Sequence, residues 1–181
     1  KETAPFIQKY LPNTIFVIVE QSQEKDFNRG KLINVGFNEF KSKCNYLITH
    51  DIDIKPKKNT ILKLYNNKSK DIVRIFNGHD QSLGGITKIS KESFIKINGF
   101  FNNIWGWGLE DRDLFYRAKY NKISLTNNLT NKENFTILKD EEKQNRTLVG
   151  EIKKKSDFIN YIFKNHKNEL IEEHIKNGLT N

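Results

Sequence analysis

Between Thr14 and Asp53 the chain sets an apolar β-branched run, a helical repeat and a second apolar run in that order, and this order narrows the fold more than any other feature. Ile15, Phe16, Val17, Ile18 and Val19 follow the turn signal Pro12-Asn13 and precede the polar stretch Gln21 to Lys25, which predicts a buried strand. From Phe27 to Lys43 the apolar residues Leu32, Ile33, Val35, Phe37 and Phe40 fall on one face of a helix, with Asp26 placed to cap its start. Tyr46 to Thr49 predicts a second strand. Strand, helix and strand in succession form a βαβ unit, so the expected fold class is α/β, with a central, mostly parallel sheet flanked by helices.

Beyond this unit, Ile61 to Tyr65 and Ile72 to Phe76 read as strands, and Gly84-Gly85 as a tight approach feeding a strand through Ile89. Ser90 caps a helix that includes Ser93 to Ile97 and stops at Gly99, and Glu110 to Lys119 has helical spacing. The tail from Ser156 to Lys176 is amphipathic, with Gly178 as a stop signal, so residues 151–181 are expected to form a helical extension. With 181 residues, 36% of them hydrophobic, the chain can bury one sizeable core but not two, and residues 1–181 are read as a single domain.

The lone Cys44 excludes an internal disulfide framework and a cysteine-based zinc site. No apolar run is long enough to span a membrane. The expected location is cytoplasmic or peripheral to a membrane, unless a segment ahead of Lys1 once carried an address or anchor. A net charge of +9 favours an anionic partner, either nucleic acid, a membrane surface or a phosphate-bearing substrate. Because the lysines are spread along the chain instead of forming a block, a solvated surface explains most of them and a nucleic-acid partner is not expected. The Asn-x-Ser/Thr triplets at Asn67, Asn128, Asn134 and Asn145 are read as chance matches in an Asn-rich chain.

Two constellations carry chemistry. Asp51-Ile52-Asp53 sits where the second strand ends, the place where ligands gather in open α/β sheets. Two carboxylates one residue apart suit a hard divalent cation held against a diphosphate, although such a triplet also occurs in ordinary solvated loops. Further on, Trp105-Gly106-Trp107-Gly108 runs into Glu110, Asp111 and Asp113 at a helix start. Glycines admit close approach of a ligand and indole faces stack on sugar rings; a capped helix with a core tryptophan accounts for one acid but not for both Trp-Gly pairs.

Taken in order, Phe27-Asn28-Arg29-Gly30-Lys31-Leu32, His50-Asp51-Ile52-Asp53, Gly84-Gly85 with Ser90-Lys91, Ile97-Asn98-Gly99-Phe100 and Trp105 to Asp113 resemble the motif series of the β-1,4-galactosyltransferases. The resemblance implies a GT-A fold, an α/β domain that binds nucleotide sugars, and an inverting transfer of galactose or N-acetylgalactosamine from a UDP-sugar to a hydroxyl of an acceptor oligosaccharide or glycoconjugate. It assigns Phe27, Arg29, Asp51, Trp107 and Gly108 to the donor, Asp53 to Mn²⁺ or Mg²⁺, and Glu110, Arg112, Gly85 and Ser82 to the sugars. Asp111 becomes the general base.

The chain departs from the family pattern at several places. Nothing before Thr14 matches the Pro-Phe-Arg-x-Arg strand, and Lys1 to Tyr10 resembles the end of the helix that follows it. No histidine lies between His79 and His166 to serve as a further metal ligand, and Asn134 to Glu142 occupies that place with Asp140 or Glu141 as oxygen substitutes. His50, His79, His166 and His174 are read as ordinary residues instead of ligands. Arg112 interrupts the run of acids, which points to a different acceptor, and the small Ser82 stands where galactose-using members carry an aromatic, which leaves room for an N-acetyl group. The alternative is a non-catalytic module of the same fold that binds a sugar or nucleotide.

Overall fold

A computed structural model describes residues 3–69, 72–76, 79–127, 132–137, 149–164 and 168–179. Helix α1 (Thr3–Tyr10) is followed after a long irregular stretch by α2 (Arg29–Phe40), then β1 (Tyr46–His50) and β2 (Ile54–Pro56). The short α3 (Lys58–Thr60) continues as a π-helical turn, Ile61–Tyr65, ahead of β3 (Ile72–Phe76), β4 (Ile86–Ser90) and α4 (Lys91–Lys96). The remaining elements are α5 (Glu110–Tyr120), β5 (Leu125–Asn127), β6 (Phe135–Ile137), α6 (Val149–Lys164) and α7 (Asn168–Lys176). Among the described residues, no helix is long and apolar enough to cross a membrane.

The main sheet has the order β1-β4-β3-β5 and is mixed: β4 pairs antiparallel with both β1 and β3, and only β3 and β5 run parallel. The fold is α/β as expected, but the sheet is not mostly parallel. β2 and β6 form a separate antiparallel pair in which Ile54 stands opposite Ile137. Every residue of β4 is buried, and alternation along the strands feeds both faces. Ile72 and Ile89 join Phe37, Phe94, Phe100 and Leu114 in one core cluster. Val73, Ile75 and Ile86 face the other way onto Ile54, Ile61, Leu64 and Tyr65.

The run after Pro12 departs most from expectation. Thr14 to Val19 forms no strand; Ile15, Phe16 and Val17 are half-exposed and Ile18 is 95% exposed. β propensity expresses fit to a pleated surface, and without a ladder partner it fixes nothing. Instead, Val17 and Val19 lie against α2 at Gly36, where a Cβ would stand 2.9 Å from Val19 Cγ2. The first strand of the expected βαβ unit is therefore absent from the sheet, and β1 takes β4 as its antiparallel neighbour.

Ile61 to Tyr65 is helical and not a strand: Ile61, Leu64 and Tyr65 are buried at helical spacing while Leu62 is exposed. α2 is capped by Asn28, whose side chain accepts from Lys31 N at 2.9 Å, and not by Asp26. The predicted caps at Ser90 and Gly99 are present: Ser90 Oγ accepts from Ser93 N at 3.1 Å, and Gly99 has φ 62°.

Three asparagines fasten α2 to the segment carrying the tryptophans. Asn28 donates to Asn102 O at 2.6 Å, and Asn34 donates to Phe100 O at 2.8 Å while accepting from Phe100 N at 2.9 Å. Asn34 also donates to Asn102 Oδ1 at 3.0 Å. Buried amides satisfied by each other and by backbone fix one register. The two helix starts that carry Arg29 and Asp111 thereby keep a set spacing.

α5 is anchored from below by charge. Asp113, fully buried, binds Arg117 Nε at 2.7 Å and His174 Nε2 at 2.6 Å. Arg117 also donates to the carbonyls of His174 and Asn177 at 3.0 and 2.7 Å, at the C-terminal end of α7. Burial would raise the Asp113 carboxyl, but the Arg117 guanidinium and the His174 hydrogen bond outweigh it and hold it below the usual range.

Candidate active site

The turn after β1 and the turn before β4 are neighbours because His50 pairs with Ile86 in the ladder. Asp51 N donates to Gly85 O at 3.0 Å, and Ile54 N closes back on Asp51 O at 3.2 Å, so Asp51 and Asp53 flank a tight turn beside the two glycines. Gly85 has φ 68°, and a Cβ there would stand 2.5 Å from Phe76 O, which only glycine avoids.

The start of α5 closes the other side. Asp111 O accepts from Leu83 N at 3.0 Å, and its Oδ2 accepts from Ser82 Oγ at 2.5 Å. Its Oδ1 accepts from Arg112 N at 2.8 Å. A Cβ on Gly84 would collide with Oδ2, so this glycine makes room for the carboxylate. The result is a cleft of about 290 Å³ whose walls include Asp51, Asp53, Ser82, Gly84, Gly85 and Asp111.

Arg29, in the first turn of α2, bridges the two acidic groups: its guanidinium binds Asp51 Oδ1 at 2.9 Å and Glu110 Oε1 at 3.3 Å. Burial and the neighbouring Asp111 push the Glu110 carboxyl upward, with Arg29 opposing them. His50 is lowered by burial; its Nδ1 lies 2.8 Å from Asp51 O, while its buried Nε2 has no partner among the described residues. This histidine packs behind the acidic turn.

The Trp-Gly block forms a loop of left-handed residues, with φ 71° at Gly106, 90° at Gly108 and 74° at Leu109. Gly106 N donates to Phe27 O at 2.8 Å, and Lys155 Nζ donates to Trp107 O at 3.0 Å. Trp105 has Lys25 and Lys31 Nζ at 5.6 and 5.8 Å from its ring, while Trp107 and Phe27 are 52% and 57% exposed. A Cβ on Gly108 would meet nothing within 4 Å among the described residues.

The structure thus gathers Asp51, Asp53, Ser82, Gly85 and Asp111 at one cleft, with Arg29 and Glu110 beside it. Trp107 and Gly108, on the Trp-Gly loop, and Phe27, on the segment that loop touches ahead of α2, do not line it. Arg112, expected at the acceptor, turns instead to α6, where it donates to Ser156 Oγ at 2.8 Å and Asn160 Oδ1 at 3.3 Å. Its place in the sequence put it among the acids, but one step along a helix turns a side chain by roughly a quarter-turn or more.

Four cleft residues escape a sequence reading, Ile54, Phe76, His79 and Ile137. Ile137 arrives through the β2–β6 pairing of three-residue strands, too short to leave a periodic signal. Of the residues from Asn134 to Ile137, only Ile137 lines the cleft. Asp140, Glu141, Asn128, Asn145 and His166 lie outside the described residues. His174, read as ordinary, belongs to the buried Asp113 network.

Among the described residues no three acids, histidines or cysteines form a ready-made metal cluster. Asp51 and Asp53 still fit a divalent cation of the Mg²⁺ or Mn²⁺ kind, which is bound by one or two carboxylates with substrate phosphates and water supplying the rest.

The mixed α/β fold is GT-A-like, as the solved structures it matches show. The fold is shared with a Drosophila β1,4-galactosyltransferase 7 mutant in complex with manganese, UDP-Gal and xylobiose, at TM-score 0.73 and 23% identity over 99% of this chain and 76% of that one. The catalytic domain of Drosophila β1,4-galactosyltransferase 7 in complex with xylobiose aligns at TM-score 0.69 and 25% identity, with the same coverage of 99% and 76%. Residues 1–66 match the N-terminal region of glycosyl transferase group 7, and residues 71–141 match the N-terminal domain of galactosyltransferase. β-1,4-Galactosyltransferase 4 of Mus musculus is 33% identical over 158 residues, which is 82% of this chain and 46% of that protein. Xylosylprotein 4-beta-galactosyltransferase of Caenorhabditis elegans is 30% identical over 139 residues, 70% of this chain and 47% of that protein.

The chain belongs to the β-1,4-galactosyltransferase family, glycosyltransferase group 7. It spans less than half the length of these two curated relatives.

Proposed function

We propose that this domain transfers galactose from UDP-Gal to a hydroxyl of an acceptor sugar, with inversion at the anomeric carbon. The observation that carries the reading is the meeting of the Asp51-x-Asp53 turn and the Glu110-Asp111 helix start at one cleft, bridged by Arg29. The relatives support the donor: their names specify galactosyltransferases, and the Drosophila complex contains UDP-Gal, manganese and xylobiose.

In this mechanism Asp53 would hold Mn²⁺ or Mg²⁺, which would offset the charge of the donor diphosphate, and Asp51 meets the donor. Phe27 and Arg29 meet the nucleotide, Trp107 and Gly108 lie between the donor phosphates and the acceptor sugar, and Glu110 contacts a sugar. Asp111 takes the proton of the acceptor hydroxyl as that oxygen bonds to the anomeric carbon. The bond from that carbon to the diphosphate oxygen breaks, and its electron pair leaves on UDP. Arg29 stabilises the departing charge. A carboxylate is a weak base, so it works only when held against the hydroxyl, and the fixed geometry of Asp111 supplies that.

A second reading, a sugar- or nucleotide-binding module without turnover, is favoured by the apolar Ile137 at the cleft wall. UDP release measured with UDP-Gal and UDP-GalNAc, with and without Mn²⁺, and xylobiose among the acceptors separates the two. Mn²⁺-dependent release from UDP-Gal that requires an acceptor is expected. UDP binding with no release from any donor contradicts transfer, and preference for UDP-GalNAc reassigns the donor through the small Ser82.

A further inference from the structure

We propose that Ser82 is a positioning residue for Asp111, holding the carboxylate in the one rotamer that meets an acceptor hydroxyl. This rests on the reading of Asp111 as the base. A serine hydroxyl has one hydrogen to give. Gly84 N donates to Ser82 Oγ at 3.0 Å, which occupies an acceptor lone pair and leaves the hydroxyl hydrogen for Asp111 Oδ2 at 2.5 Å. A hydroxyl donating to an ionised carboxylate forms a short, charge-assisted bond. Ser82 is only 6% exposed, so water competes little for it.

The whole 82–84 segment is shaped for this carboxylate. Leu83 N donates to the backbone carbonyl of Asp111 at 3.0 Å, and Gly84 lacks the Cβ that would collide with Oδ2. Arg112 N holds the other oxygen at 2.8 Å. An aspartate at a helix start otherwise samples several rotamers; here each oxygen has a donor, and the remaining lone pairs stay available to a substrate hydroxyl. The alanine form would keep the cleft and lose the aim.

The test compares Ser82→Ala, Ser82→Thr and Asp111→Asn with the wild-type chain for kcat, donor KM, Mn²⁺-dependent UDP affinity and melting temperature. Ser82→Ala is expected to lose roughly 10- to 100-fold in kcat, with donor KM, UDP affinity and melting temperature unchanged, and Ser82→Thr to regain most of the loss. Wild-type kcat in Ser82→Ala, while Asp111→Asn is inactive, overturns the role of Ser82 and leaves the base in place. A parallel loss of UDP affinity or melting temperature in Ser82→Ala makes Ser82 a packing residue and also overturns it. Wild-type kcat in Asp111→Asn, or no turnover by the wild-type chain, overturns the reading of the base and the role of Ser82 with it.

Discussion

At the scale of single residues, Arg29 and Glu110 set the electrostatics of the cleft. Glu110 is buried beside Asp111, so its carboxyl titrates above the usual range despite Arg29. A carboxyl raised in the folded state stabilises the fold below its ordinary value, and that contribution is lost as pH rises through the folded value. Glu110→Gln should therefore melt higher than the wild-type chain at neutral pH, with the difference shrinking as pH falls into the ordinary carboxylate range. Thermal scans across that pH series check it, and equal melting curves at neutral pH contradict it. Gly84→Ala tests the space around Asp111 from the other side. Its Cβ would collide with Oδ2, so kcat is expected to fall by about 100-fold while the fold persists, measured by transfer rate against circular dichroism.

Among the elements, α7 is held to α5 by a buried charge network and not by apolar contact alone. Asp113 titrates low, so its contribution is full above the ordinary carboxylate value and is lost as pH falls through the folded value. Asp113→Asn leaves Arg117 and His174 buried without their anion, and a loss of roughly 3–5 kcal/mol is expected in urea denaturation. Wild-type stability in that variant would show that the network is neutral. How much of each element could be read beforehand follows from the same physics. α2, α4 and α5 were legible because caps and helical spacing are local properties, as at Ser90 and Gly99, although the face α2 buries is Gly30, Asn34, Gly36 and Phe37 and leaves Val35 exposed. Thr14 to Val19 misled because a strand exists only through its neighbours, and no neighbour in the sheet receives it. Ile61 to Tyr65 misled because five apolar-rich residues fit either period.

For the molecule as a whole, the pairing of β1 with β4 joins residues 36 to 44 apart in sequence, and the asparagine bridges from α2 to residues 100–102 join residues 66 to 74 apart. The acidic triplet, the glycine pair and the Trp-Gly block were each visible as motifs, and their order carried the family resemblance. Their convergence was not visible, nor was the β2–β6 pairing that sets Ile137 opposite Ile54, because register between distant strands leaves no local trace. Arg112 shows the same limit from the other side, since adjacency to Asp111 in sequence did not place it in the cleft.

Calorimetric titration of UDP into the wild-type chain, Asp53→Ala and Asp111→Asn, with and without Mn²⁺, tests that convergence most directly. The account predicts metal-dependent UDP binding that Asp53→Ala abolishes and Asp111→Asn retains. UDP binding that is indifferent to both Mn²⁺ and Asp53 would contradict it.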